Sequence, residues 1–117
     1  MFTDEENQQV AETILDQMGG IRRLQMMIDA KHFVFGVKGN DAKVFVQFSY
    51  AGTDTRNRAN RCNITYTRGR DLYDVEFGIV RQYAFVSRGQ FTDIYIDQLC
   101  ELFERETGLF LTLLPKC

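Results

Sequence analysis

The stretch Arg61 to Gly78, RCNITYTRGRDLYDVEFG, decides how this chain folds. Cys62, Ile64 and Tyr66 alternate with Arg61, Asn63, Thr65 and Thr67, and after an Arg-Gly-Arg turn Tyr73, Val75 and Phe77 alternate with Asp74, Glu76 and Gly78. Successive side chains of a strand point to opposite faces, so the pattern predicts a hairpin with one apolar and one polar face. A parallel sheet would show continuous apolar runs instead, with crossover helices between them.

Upstream, HFVFGV and KVFVQFSY bracket the turn-forming KGND, and Val44, Val46, Phe48 and Tyr50 share a face. This is a second hairpin, joined to the first by the polar loop AGTDTRNRAN. Downstream, QYAFVS reads as a strand ending at Gly89. Thr92 is then the expected N-cap of a helix that turns Ile96, Leu99, Cys100 and Phe103 inward and closes at Gly108. LFLTLL follows as a final extended piece. At the other end Thr3 and Glu6 form a capping-box pattern, and Val10, Ala11, Ile14, Leu15 and Met18 recur at helical spacing until Gly19-Gly20. A helix over residues 4–18 is expected. In residues 21–30, Ile21, Leu24, Met27 and Ile28 fit a helix while Leu24, Met26 and Ile28 alternate like a strand; a short helix is the reading adopted.

These elements predict an α+β fold of two layers, an antiparallel sheet of four to five strands with N-terminal and C-terminal helices packed on one face. At 117 residues the chain is one domain, 1–117, able to bury roughly two thirds of its unfolded surface. Its 44% hydrophobic and 26% charged residues carry none of the polar bias of disordered chains. MFTDEENQQV lacks a basic-then-apolar signal pattern and LFLTLL is far short of the ~20 residues that span a bilayer. A soluble, cytoplasmic protein with no membrane partner is expected. Cys62, Cys100 and Cys117 lack CxxC spacing, which points to neither a disulfide framework nor a zinc site; Cys62 and Cys100 read as buried apolar fillers and Cys117 as a free terminal thiol.

The net charge of −2 conceals a segregation. Residues 1–18 hold five acids and no base, whereas residues 19–88 hold twelve bases against six acids. Arg56, Arg58, Arg61, Arg68 and Arg70 form a candidate binding patch on the sheet, the electrostatic footprint by which a phosphate backbone is contacted. Against that, solvated strand faces commonly carry Arg, Thr and Asn, Asp71, Asp74 and Glu76 can pair with the arginines, and the sequence pI is near 5.4.

No catalytic constellation is legible. His32 is the single histidine, with no partner nearby in sequence, and the GxSxG, GxGxxG and GxxxxGK[ST] patterns are absent. Asp74 and Glu76 lie two apart on one strand face, as a two-carboxylate or Mg²⁺ site would need, but among arginines they read as solvent-facing charge. No enzyme and no cofactor or metal is expected.

Gly19-Gly20, Ala30-Lys31, Phe33-Val34, Arg58, Ile64-Thr65, DLYDVEFG (71–78), DQL (97–99) and ETGL (106–109) together resemble a family of small uncharacterised proteins encoded by bacteriophages, prophages and integrative elements. The likeness covers most of residues 10–113 and is tightest after residue 58. It implies a mobile-element setting in a bacterial host cell and carries no catalytic or binding residue with it. The expected function is that of a non-enzymatic accessory protein that binds a host or phage macromolecule, a counter-defence inhibitor being one form. A protein partner is expected, with nucleic-acid binding through the arginines as the alternative. Self-association through a sheet edge or LFLTLLPKC is a third reading.

Overall fold

The computed structural model describes residues 3–39, 42–50 and 55–111. Helix α1 spans Asp4–Gln17 and starts on the expected capping box: the Glu6 N–H donates to Thr3 Oγ1 at 3.1 Å and the Thr3 N–H to Glu6 Oε1 at 3.1 Å. These bonds occupy two donors that the first turn leaves without helical partners. The helix stops where Gly19 and Gly20 take φ of 106° and 90°, values open to glycine and strained for other residues. Helix α2, Ile21–Ile28, resolves the ambiguous segment: Leu24 and Ile28 are buried four residues apart, while Met26, which a strand would have placed beside them, is 83% exposed.

Five strands follow, β1 Lys31–Lys38, β2 Lys43–Ser49, β3 Arg61–Thr67, β4 Leu72–Arg81 and β5 Ala84–Ile94, then a 3₁₀ turn Ile96–Gln98 and helix α3, Leu99–Thr107. The strands pair antiparallel in sequence order, β1-β2-β3-β4-β5. The α+β reading is therefore correct, with five strands. Register sets the core. Val46, Ile64 and Val75 lie side by side on β2, β3 and β4, as do Phe48, Cys62 and Phe77, all buried. Ile14 from α1, Met18 at its C-terminal cap, Leu24 from α2 and Leu99 and Phe103 from α3 cover that face. The Phe103 ring lies 6.1 Å from Phe48 and 6.0 Å from Phe77, and burying each such ring contributes roughly 1.5–3 kcal/mol.

Three expectations are corrected. The fifth strand does not end at Gly89 and Thr92 is not a helix cap: β5 continues to Ile94, opposite Tyr73, and α3 begins at Leu99. The register shifts twice along this pair, between Phe77 and Gly78 and between Tyr73 and Val75. Each bulge breaks the two-residue period that sequence reading relies on. Gly108 does close α3, at φ 77°. Cys62 is buried with a free thiol, whereas Cys100, also buried, is disulfide-bonded. Cys100 is thus an inward-facing residue of α3 but not a thiol filler, a pairing that spacing along the chain did not signal. Cys117, the second half of LFLTLL, Asn40-Asp41 of KGND and residues 51–54 lie outside the described residues.

Candidate functional site

The five arginines of the sequence patch do not form one surface. Arg56 turns to α3, where its Nη1 donates to the Arg105 carbonyl at 2.7 Å, a cation placed at the helix's negative end. Arg58 is exposed in the loop before β3, and Arg61 sits on the open side of the sheet between Ser49 and Gly78. Arg68 lies at the other end of β3, roughly 23 Å from Arg61 along the strand, with Nη2 donating to Asn7 Oδ1 at 2.7 Å. Arg70 pairs with Asp93 at 2.7 Å.

The open sheet face is mixed rather than basic. Asn63, Thr65, Asp74, Glu76 and Gln90 surround a hollow of about 190 Å³, with Lys38 and Lys43 at one side. His32 is exposed, its Nδ1 2.8 Å from Ser49 Oγ. It lies on β1 and Asp74 and Glu76 lie on β4, three strand spacings or roughly 14 Å away. No histidine–carboxylate pair forms, and the described residues contain no group of three or more His, Cys, Asp or Glu able to hold a metal.

A different site emerges at the end of the sheet where β3 passes into β4. A cleft of about 1230 Å³ opens there between α1 and the 3₁₀–α3 segment. Its floor is Tyr66 and Tyr73, directly paired across β3 and β4 with ring centroids 5.0 Å apart. One wall is the α1 stripe Glu6, Gln9, Val10 and Thr13, at the spacing that places side chains on one face of a helix. The other wall is Tyr95, Ile96, Asp97, Gln98 and Glu101. Arg68 and Asp71 stand at the β3–β4 turn. Among the described residues the lining holds four carboxylates, Glu6, Asp71, Asp97 and Glu101, against one base, Arg68.

The floor is held by polar bonds. The Tyr66 hydroxyl donates to Asp71 Oδ1 at 2.6 Å. That bond, aided by burial, pushes the phenol up to about 12. Burial raises Tyr73 as well, with the Asp71 charge adding to it. Glu6 is held below its ordinary value by the backbone and hydroxyl bonds of Thr3. The result is a negative trough with protonated phenols at its base. Aromatic faces and carboxylates are the two surfaces that attract guanidinium and ammonium groups. A phosphate backbone meets like charge here.

Sequence reading placed Tyr66 and Tyr73 inward and gave the acids at the two ends of the chain no role, which hid the cleft. Its lining comes from three segments distant along the chain. The acidic flanks of residues 1–18 and 89–117 were the available signal. No protein-family model matches this chain, and no curated protein or solved structure does either. The fold places the chain in the α+β class, an antiparallel sheet with one face covered by helices and one open. No helix of the described residues is long and apolar enough to cross a membrane.

Proposed function

We propose that the protein acts by binding: a non-enzymatic accessory protein of a mobile element whose acidic, tyrosine-floored cleft holds a cationic segment of a host or phage protein in the bacterial cytoplasm. Inhibition of a host defence protein is one use of such a grip. The observation that carries the reading is the excess of carboxylates over bases around paired tyrosines in one cleft. Its volume exceeds the roughly 300–1,000 Å³ of small-molecule pockets, which favours a stretch of polypeptide over a metabolite. The sequence resemblance supplies the mobile-element setting. The separation of His32 from Asp74 and Glu76 supports binding over turnover. The scatter of Arg56, Arg58, Arg61, Arg68 and Arg70 weighs for a protein partner over nucleic acid.

Calorimetric titration with a synthetic peptide of alternating arginine and tyrosine tests this. The peptide is expected to bind, to bind less tightly as salt rises, and to lose at least tenfold in affinity in the Asp97→Lys/Glu101→Lys variant. A glutamate-for-arginine peptide is expected not to bind. Tight binding of duplex DNA with no response to the basic peptide would overturn the reading, as would peptide binding indifferent to both substitutions.

A further inference from the structure

The end of β4 remote from the cleft carries a second exposed feature. Pairing of β3 with β4 finishes at Arg61 opposite Gly78, yet β4 and β5 continue to pair through Ile79–Val86, Val80–Phe85 and Arg81–Ala84. Residues 79–86 thus form a two-stranded arm with no third strand beside it among the described residues. Val80, Phe85 and Val86 are exposed, and Tyr83 at the tip is fully exposed. Apolar surface on a projecting hairpin is typical of a contact element.

The tip is also strained. Gln82 and Tyr83 are the two connecting residues and both have positive φ, 49° and 67°. That is a type I′ turn, which asparagine and glycine favour and glutamine and tyrosine do not. Strain of this kind clusters at ligand clamps and other functional sites. Finally, the arm and its base are cationic: Arg81 lies on the arm and Arg88 just beyond it, both exposed, and residues 77–92 contain no acid.

We infer that this arm is itself a ligand of the acidic cleft, docking Tyr83 and Arg81 into the cleft of a second copy of the chain. The inference rests on the cleft reading above and adds the partner. Charge and chemistry match on both sides: arginine and an exposed phenol on the arm, carboxylates and paired tyrosines in the cleft. The contact forms between molecules because Tyr73 on the cleft floor and Arg81 at the arm are roughly 26 Å apart along one strand. The interface is heterologous, so it builds head-to-tail pairs and longer chains unless the geometry closes. Docked copies occupy the cleft, so self-association competes with the basic segment of another protein.

Sedimentation and light scattering on two charge-reversal variants test it. Arg81→Glu/Arg88→Glu removes the arm's charge and keeps the cleft; Asp97→Lys/Glu101→Lys does the reverse. The unmodified chain is expected to rise above its 13.6 kDa monomer mass with concentration and to return to it in high salt. Each variant alone is expected to stay monomeric, whereas their equimolar mixture is expected to associate again, since the unmodified arm of one meets the unmodified cleft of the other. Tyr83→Ser, which leaves every charge in place, is expected to weaken association at least fivefold. A monomer at every concentration overturns the inference, as does an oligomer that both reversals leave intact. Peptide titration of the unmodified chain separates the two readings: peptide binding by a chain that stays monomeric removes the arm's role and spares the cleft, and loss of both removes both.

Discussion

The two ends of β4 belong to one strand and sit in opposite surroundings. At its start, Tyr73 is buried beneath helices and meets Tyr66, and the carboxylates around the pair are mounted on two helices and a tight turn. At its end, Val80 and Arg81 are exposed, paired only with a strand that is exposed too. Helix cover explains the difference, because α1 and α3 bury the face of the sheet as far as Phe77 and leave residues 79–86 outside. Rigid framing suits a receptor, and an uncovered hairpin suits a probe.

The strongest way to break the comparison is to remove the residue both ends lean on. Phe77 is fully buried between Phe103 and Phe91. Phe77→Ala is expected to cost about 3–5 kcal/mol, read as a lowered midpoint in urea denaturation, with the cleft and arm lost together. A smaller change separates them. Gln82→Asn/Tyr83→Gly supplies the residues that a type I′ turn favours and is expected to stabilise the chain by about 1 kcal/mol. The gain appears as a higher urea midpoint, while association through the arm falls. Stability up with assembly down is the outcome that marks the native turn as a functional compromise.

The cleft end is probed by pH. A phenol raised from about 10 in the unfolded chain to about 12 in the folded one contributes stability fully below pH 10 and loses it as the pH climbs through 12. Tyr66→Phe is therefore expected to be less stable than the parent by on the order of 0.5–1.5 kcal/mol below pH 10, the difference vanishing toward pH 12. Absorbance of the phenolate is the companion readout: Asp71→Asn is expected to bring the Tyr66 titration below about 12.

Much of the frame was legible in sequence and little of the site was. Val44, Val46, Phe48, Cys62, Ile64, Tyr73, Val75 and Phe77 announced their buried face through plain alternation, and Thr3 with Glu6 announced the start of α1. Alternation failed along β5, where two bulges shift the register and Asp93 takes φ 57°. The arginines misled for a spatial reason. Positions 56–70 are near in sequence, but a strand carries Arg61 and Arg68 to opposite ends of the sheet, and Arg56 and Arg70 are engaged by α3 and Asp93. The cleft required Glu6, Asp71 and Glu101 to converge from distant parts of the chain, which no local pattern encodes.

The claim most in need of a direct test is that cationic polypeptide enters the cleft. Chemical-shift mapping of isotope-labelled protein titrated with the arginine–tyrosine peptide is the measurement. Changes concentrated at Tyr66, Tyr73, Tyr95, Asp97 and Glu101, and reversed by salt, are the predicted result. Changes confined to Asn63, Thr65 and Glu76 on the open face, or no change at excess peptide, would contradict it.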